Sequence, residues 1–137
     1  MEIVGIGTDI VECVRIRTMI DRHGELFLRR VFTEREIRYC QRSKQATEHF
    51  SGRWAAKEAV LKCLGTGWSK GLCFTDVEVA NDPVGRPRIE LRAATRDYSQ
   101  SLGIGDVMIS ISHCRSYATA LAVAVRGFGA VNDEIPF

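Results

Sequence analysis

The chain has 137 residues, of which 45% are hydrophobic and 26% charged, and its formal net charge at neutral pH is +2. This length suits a single compact domain, because two separate cores would each bury too little apolar surface. No apolar run approaches the roughly 20 residues that a membrane-spanning helix requires, and the first residues show no secretory signal. We expect a soluble cytoplasmic protein with one domain over residues 1–126 and an irregular tail over residues 127–137.

The five cysteines include no C-x-x-C pair. An odd number without a histidine cluster argues against both a disulfide framework and a zinc site, so largely buried thiols are expected. The net charge is too small to indicate a nucleic-acid-binding protein, but basic residues concentrate between Arg15 and Lys70. An acidic partner would therefore meet the first half of the chain.

The first third of the chain predicts one strand and three helices. Residues 3–11 alternate as a strand, in which Gly5 and Gly7 would permit close approach of another backbone or a ligand. Apolar positions within 14–31 recur at helical spacings and are interrupted at Gly24, which predicts two short helices. Thr33 and Glu36 have the spacing of a capping box. A third helix should therefore run from 33 to about 39.

Residues 47–64 form the clearest helical pattern, rich in good helix formers, free of proline and ended by Gly65. Small or slender side chains share one face of this helix, so it should lie close against a sheet; they are Ala55, Ala56, Ala59, Val60 and Cys63.

The second half of the chain predicts mainly strands. Residues 74–80 and 87–91 alternate on either side of a turn cluster at 81–85 and should form a hairpin. A short helix over 93–102 leads into strands at 106–113 and 117–125. Helices mixed with hairpin strands in this order indicate the α+β class, with a small antiparallel sheet packed against the long helix.

Glu58 and Lys62 are spaced one helical turn apart on the flank of the small-residue face. Such a pair is commonly a surface ion pair worth about 0.3–0.5 kcal/mol. Arg53 and Lys57 on the same helix, and the loop Gly65, Thr66 and Gly67 after it, favour phosphate binding instead. A plain helix stop would give the same loop residues.

Asp9 is an acidic residue at the end of an otherwise apolar strand. A buried carboxylate is unfavourable unless it is paired or bound to a metal, although a turn or helix cap would also account for it. Gly5 and Gly7 do not make a dinucleotide fingerprint, since the third glycine is missing. Asp9 and Glu58, completed by waters and phosphate oxygens, would suit Mg²⁺, which takes few protein ligands.

Ser110 and Ser112 lie on one face of a predicted strand, with Ile111 and His113 on the other. The nucleophile turn of a serine hydrolase is missing, which argues against hydrolysis. His113 is either a structural hydrogen-bonding group or a group of the site.

Four motifs occur together in the chain: GIGTDIVE at 5–12, FTERE at 32–36, GRWAAKEA at 52–59 followed by Lys62, and SISH at 110–113. In this order they resemble the holo-acyl-carrier-protein synthases of the 4′-phosphopantetheinyl transferase superfamily, over about residues 3–125. Trp54 stands where phenylalanine is usual in the family, which preserves an aromatic contact.

The resemblance implies the pseudo-ferredoxin-like fold of that superfamily, Mg²⁺, and a homotrimer with clefts between subunits. It also implies transfer of the phosphopantetheine arm of coenzyme A to a serine of an acidic acyl carrier protein, with release of 3′,5′-ADP, in fatty acid biosynthesis. By the same resemblance Asp9 and Glu58 are metal ligands, Lys62 faces the pyrophosphate and Glu58 is a candidate base. Phosphates or the coenzyme would be contacted by Arg53, Gly65, Thr66, Gly67 and His113.

In the same family the helix at residues 14–22 docks the carrier protein. Here it should expose Arg15, Arg17 and Arg22 beside Met19, a surface that suits an acidic helical partner. Charges on an amphipathic helix are otherwise simply a solvated face.

Two alternative functions are a coenzyme A or nucleotide-binding module without catalysis, and a small basic RNA-binding protein. The second lacks the run of interleaved aromatic and basic residues that base stacking requires.

Overall fold

The computed structural model describes residues 1–65 and 72–127 of the chain. Five strands are present in these ranges: β1 (Glu2–Glu12), β2 (Val77–Asn81), β3 (Pro87–Leu91), β4 (Ile104–His113) and β5 (Tyr117–Arg126). Five α-helices accompany them: α1 (Cys13–His23), α2 (Glu25–Val31), α3 (Glu34–Gln41), α4 (Ala46–Cys63) and α5 (Ala93–Ser101). The predicted α+β class is confirmed.

The strands form two antiparallel units. One is a three-stranded sheet in the order β1-β5-β4, so the strand that comes last in the chain lies in the middle; the other is the β2–β3 hairpin. Helix α4 packs across one face of the three-stranded sheet and also contacts α1, α3 and β2. The predicted small antiparallel sheet on a long helix is therefore present.

The seam between α4 and the sheet is lined by the smallest residues of the chain. A Cβ atom at Gly5 would lie 2.2 Å from the carbonyl oxygen of Cys63, and one at Gly7 would lie 2.0 Å from that of Ala59. Facing them on β5 are Ala118, Ala120, Ala122 and Ala124, all buried. The close approach predicted for the two glycines is confirmed, and α4 is the backbone that approaches.

A buried ion pair joins α3, α4 and the hairpin. Lys57 and Glu36 are 0% and 1% exposed, and their Nζ and Oε1 atoms are 2.8 Å apart. Lys57 also donates to the carbonyl oxygens of Phe74 and Val77, while the other carboxylate oxygen of Glu36 accepts from the backbone N–H of Val79. Lys57 is therefore a structural residue, and its use in the sequence analysis as part of a phosphate site was wrong.

The helix boundaries follow the sequence signals closely. Gly24, with φ of 51°, separates α1 from α2, and the Thr33 and Glu36 capping box is formed at the start of α3. One strand prediction was partly wrong: residues Phe74–Asp76 form a turn of 3₁₀ helix, and β2 begins only at Val77. The residue that breaks the alternation is Phe74, which is buried in the core.

Three of the five cysteines, Cys13, Cys40 and Cys63, are buried, and Cys73 and Cys114 are exposed. Among the helices in the described ranges, none is both long and apolar enough to cross a membrane. The predicted tail over residues 127–137 lies outside the described residues from 128 onwards.

Candidate active site

Strand β1 and helix α4 bring Asp9 and Lys62 together at the edge of the sheet. The Lys62 Nζ donates to Asp9 Oδ1 at 2.9 Å and to the backbone carbonyl of Thr8 at 3.1 Å. Lys62 reaches Asp9 because β1 lies directly against α4 at Gly5 and Gly7. The direct ion pair between Asp9 and Lys62 was not predicted, since the sequence indicated Asp9 with Glu58 as metal ligands and Lys62 as a phosphate contact.

Glu58 lies one turn before Lys62 and is half-buried. Burial raises the pKa of its carboxyl group, and the carboxylate of Asp9 raises it further, while Lys62 and Arg15 act in the opposite direction. Within the described ranges, no hydrogen bond or ion pair engages this carboxylate. The two carboxylates are therefore close enough to repel each other, and Glu58 is available to a proton or a cation.

A cleft of about 650 Å³ opens beside this cluster. Asp9 and Lys62 form one side of it, and hydroxyl side chains from the outer face of the sheet form the other: Thr8, Ser110, Ser112 and Thr119. The alternation of β4 predicts that the two serines share one strand face, but it does not connect them with Asp9. The missing information was the strand order, since β5 lies between β1 and β4 and carries Thr119 between Ile10 and Ser112.

The donors of this cluster fit Mg²⁺. Two carboxylates from different elements approach each other, and across residues 1–65 and 72–127 no third Asp, Glu, His or Cys joins them to complete a metal cage. Mg²⁺ is usually bound through one or two carboxylates, with water and substrate phosphates as its remaining ligands. The partial donor set is compatible with this ion.

Arg53 lies in a second cleft and is not brought together with Asp9 and Glu58. It is 5% exposed, donates to Asn81 Oδ1 at 2.7 Å, and stacks its guanidinium 4.0 Å above the ring of Tyr39. Its Nε is buried without a hydrogen-bond partner among the described residues. The cleft, of about 670 Å³, carries further arginines at its rim: Arg35, Arg38, Arg42 and Arg88. It is a net basic surface between α3 and the hairpin, in which Arg35 pairs with Glu90 and Arg88 with Asp82.

His113 lies at the opposite end of α4 from Lys62. Its Nδ1 is 3.1 Å from Glu48 Oε1, and its ring is 5.2 Å from that of His49. The pKa of His49 is lowered, first by burial and then by His113 and Arg53. Because Glu48 and Glu58 are ten residues apart on one helix, about 15 Å of helix separates the two regions. One chain therefore does not bring His113 to the Asp9 cluster.

The remaining predicted phosphate contacts, Gly65, Thr66 and Gly67, come after the end of α4 in the sequence. Gly65 has φ of 79° and donates its N–H to the carbonyl of Lys62, so it ends the helix as predicted. Thr66 and Gly67 lie outside the described residues.

Helix α1 presents a basic surface beside an apolar groove. Arg15, Arg17 and Arg22 are exposed, as predicted, and Met19 is half-buried. Met19 lines a groove of about 640 Å³ together with the following residues of α2, α4 and the segment before β2: Leu26, Phe27, Arg30, Trp54 and Phe74. This groove was not predictable from the sequence, because its walls come from four separate segments.

The family model described as "4′-phosphopantetheinyl transferase superfamily" matches residues 5–122 of the chain. This span includes β1 and α4 with Asp9, Glu58 and Lys62. The chain belongs to this superfamily.

Relatives named holo-[acyl-carrier-protein] synthase include those of Protochlamydia amoebophila and Rhodopirellula baltica. They are 47% and 46% identical to this chain over 120 and 123 residues, which are 88% and 90% of this chain and 96% and 98% of theirs. The chain therefore resembles these phosphopantetheinyl transferases over nearly their whole length.

Solved structures confirm the predicted fold. The holo-[acyl-carrier-protein] synthase of Neisseria meningitidis is 30% identical and has a TM-score of 0.84, over 91% of this chain and 100% of that one. The enzyme of Bacillus anthracis, in complex with CoA (3′,5′-ADP), is 38% identical with a TM-score of 0.75, over 90% and 97% of the two chains. The chain thus has the fold of the phosphopantetheinyl transferases.

Proposed function

We propose that this protein transfers the 4′-phosphopantetheine arm of coenzyme A to a serine of an apo-acyl carrier protein and releases 3′,5′-ADP. The observation that carries the proposal is the cluster of Asp9, Glu58 and Lys62, two carboxylates that repel each other and an ammonium group, with Asp9 and Lys62 beside an open cleft, in a chain of this superfamily. Relatives of this chain are named for this reaction, and one related structure holds CoA (3′,5′-ADP).

Each group of the cluster has a chemical task in this reaction. Asp9 and Glu58 would hold Mg²⁺, which supplies positive charge to the pyrophosphate oxygens as the bond to phosphorus breaks. The ammonium group of Lys62 would contact the same oxygens and stabilise the charge that develops on the leaving 3′,5′-ADP. Glu58, whose pKa is raised by burial and by Asp9, is a stronger base than an ordinary carboxylate and could accept the serine proton.

The nucleotide end of coenzyme A would extend away from this cluster. Gly65, Thr66 and Gly67 follow Lys62 directly and would contact phosphate. His113 and Arg53 would line the nucleotide, in a region that is rich in arginine and in aromatic rings. His113 contacts Glu48, near the end of α4 opposite to Glu58. This separation is compatible with a coenzyme bound between two copies of the chain.

The carrier protein would dock on α1. The exposed arginines Arg15, Arg17 and Arg22 offer positive charge to an acidic helix, and Met19 opens the apolar groove beside them. Opposite charge speeds the encounter of two proteins, and methionine adapts its shape to a partner. Helix α1 begins directly after β1 ends. A carrier protein docked on α1 would therefore bring its serine to the end of the sheet that holds Asp9.

A homotrimer with shared active sites is supported by the outer face of the sheet. This face carries large apolar side chains that are between 41% and 65% exposed: Ile6, Ile10, Met108 and Leu121. Apolar patches of this kind on a small domain mark sites of association. Ile10 and Leu121 also line the cleft beside Asp9, so a second copy packed on this face would close the cleft.

The decisive experiment measures the mass of an apo-acyl carrier protein after incubation with the purified protein, coenzyme A and Mg²⁺. Transfer adds the phosphopantetheine arm, and we expect Asp9→Asn and Glu58→Gln each to lose most of the rate. Asp97→Asn is the matched control, since Asp97 is an exposed carboxylate on α5 whose ion pair is with Arg96. An unchanged carrier mass in the presence of bound coenzyme A would indicate a binding module, and full activity of Asp9→Asn would refute the site.

The proposed trimer is tested by light scattering and by complementation. Co-expression of Glu58→Gln with an inactive His113 variant should restore some activity if the two residues serve one site from neighbouring subunits. A monomer with full activity would contradict the trimer.

The activity is proposed to be cytoplasmic and to serve fatty acid biosynthesis, since carriers of this kind hold growing acyl chains.

A further inference from the structure

The ammonium group of Lys62 is the cation that pairs with Asp9 in this structure. Its Nζ lies 2.9 Å from Asp9 Oδ1, and the side chains of Asp9 and Lys62 are 14% and 51% exposed. In the part of the chain that the structure describes, Lys62 is the only hydrogen-bonding or ion-pairing partner of this carboxylate. A largely desolvated carboxylate needs such a partner, and here a lysine fulfils the requirement without any metal.

This arrangement conflicts with metal binding at the same carboxylate. A divalent cation at Asp9 would stand next to an ammonium group, and like charges at short range repel each other. The ammonium group also uses one carboxylate oxygen as a hydrogen-bond acceptor. A metal ion at Asp9 therefore favours the departure of Lys62.

The structure gives Lys62 the freedom to leave. Its side chain is half exposed and flexible, and its second acceptor, the carbonyl of Thr8 at 3.1 Å, lies at the same edge of the cleft. Lys57, one turn and a half earlier on α4, shows the contrast, because it is fully buried and held by Glu36 and two carbonyl groups. Of these two lysines, only Lys62 can turn towards a ligand in the cleft without disturbing the core.

We propose that Lys62 is an exchangeable counter-ion: it neutralises Asp9 in the free protein and moves to the phosphates of the coenzyme, leaving Asp9 and Glu58 to the metal ion. This inference rests on the proposed function. Metal and coenzyme then strengthen each other's binding, because the phosphates remove the ammonium group that opposes the metal. By linkage the effect is reciprocal and the same factor applies to both ligands.

Binding of Mn²⁺, followed by the loss of the free-ion signal in electron paramagnetic resonance, tests this without any turnover. We expect Lys62→Met to bind Mn²⁺ about fivefold more tightly than the wild type in the absence of coenzyme, the factor expected for removing a partly exposed ion pair. Lys44→Met is the charge-matched control, because Lys44 is an exposed lysine that lies before α4. Asp9→Asn should abolish the tight site in both backgrounds.

Addition of coenzyme A provides the second measurement. Coenzyme A should tighten Mn²⁺ binding in the wild type by a larger factor than in Lys62→Met, since the variant has no ammonium group to remove. A change of net charge alone would affect Lys44→Met and Lys62→Met equally and would leave the coenzyme factor unchanged.

Equal or weaker Mn²⁺ binding by Lys62→Met, or an equal coenzyme factor in both proteins, overturns the proposal. If the wild type still transfers the arm to the carrier protein in those circumstances, only this inference fails. If no protein binds Mn²⁺ and the carrier gains no mass, the proposed function fails with it. Thermal unfolding of each variant checks that the substitution of Lys62, whose side chain is half exposed, leaves the fold intact.

Discussion

The replacement of Gly7 by alanine tests whether the seam between β1 and α4 is as tight as the structure indicates. A Cβ atom at this position would lie 2.0 Å from the carbonyl oxygen of Ala59 and 2.7 Å from the backbone nitrogen of Cys63. Both obstacles are backbone atoms, so no side chain can rotate away. The seam would have to open by about 1.4 Å to restore the 3.4 Å of an ordinary contact.

Overpacking of a core usually lowers stability by about 1–3 kcal/mol, and a clash with backbone lies at or above the upper end of that range. We therefore expect Gly7→Ala to lower the free energy of unfolding by about 3 kcal/mol. The same opening would move Asp9 away from Glu58 and Lys62, because Asp9 lies two residues further along β1. The transfer rate should fall even where the variant remains folded.

Urea denaturation measures the first effect, and carrier mass spectrometry measures the second. Gly52→Ala is the matched control: it makes the same chemical change in α4, but its Cβ would meet side chains and not backbone, the methyl Cγ2 of Ile111 at 3.1 Å and Cδ2 of His113 at 4.0 Å. That variant should lose little stability, since a methyl group can shift slightly and alanine favours a helix. A Gly7→Ala protein within about 0.5 kcal/mol of the wild type would refute the reasoning, since surface changes are that small.

The remaining predictions concern four other positions. Arg15→Glu should raise the KM for carrier protein much more than the KM for coenzyme A in steady-state kinetics, and equal rises would indicate that Arg15 contacts coenzyme phosphate. Lys57→Met should lower the free energy of unfolding by about 3–5 kcal/mol in urea denaturation, because it leaves a buried carboxylate without its cation; a loss below about 1 kcal/mol would contradict this. Ala93→Gly should raise that free energy by up to about 1 kcal/mol, because φ of Ala93 is 51°; a loss would show that the conformation is not strained. Burial and Asp9 raise the pKa of Glu58 above its usual 4.5 in the folded chain, so the folded state binds the proton more tightly than the unfolded state does. The wild type should therefore lose stability relative to Glu58→Gln as the pH rises from 4.5 through the raised pKa. A difference that does not vary with pH, in urea denaturation at several pH values, would disprove that assignment.

Local signals predicted most of the elements because their physical causes are local. The capping box of Thr33 and Glu36 is complete within four residues, and Gly24 interrupts a helical pattern by its own backbone conformation. Gly5 and Gly7 indicated a close approach, but the approaching element was not identifiable from β1 alone. The strand order that brings α4 to this face depends on residues more than a hundred positions away.

The errors arose where tertiary contacts override the local pattern. Phe74 was included in the predicted strand, but it is out of phase with Val77 and Val79 and lies buried in the core at the start of a turn of 3₁₀ helix. In the sequence Lys57 is one more cation next to Glu58, but in the structure it lies on a different face of α4 and pairs with Glu36. Lys57 and Glu58 lie on different faces because neighbouring residues differ by about 100° around a helix.

The candidate site was predictable in part. Asp9, Glu58 and Lys62 stood out because charged residues flanked apolar or small-residue faces, and the structure brings them together. The hydroxyl groups of Ser110 and Thr119 and the groove beside Met19 are assembled from separate elements, so no single stretch of sequence contains them.

The position of β5 in the middle of the sheet has a consequence for synthesis of the protein on the ribosome. β1 is made first, yet its partner strand begins at Tyr117, and β4 pairs with the same strand. At about 5–20 residues per second, the apolar residues of β1 wait roughly 5–20 s for that partner. During this interval the nascent chain has a long helix and the β2–β3 hairpin, but not the three-stranded sheet against which the helix packs. A ribosome stalled before Tyr117 should therefore hold a protease-sensitive chain, whereas one stalled with β5 outside the exit tunnel should hold a resistant one.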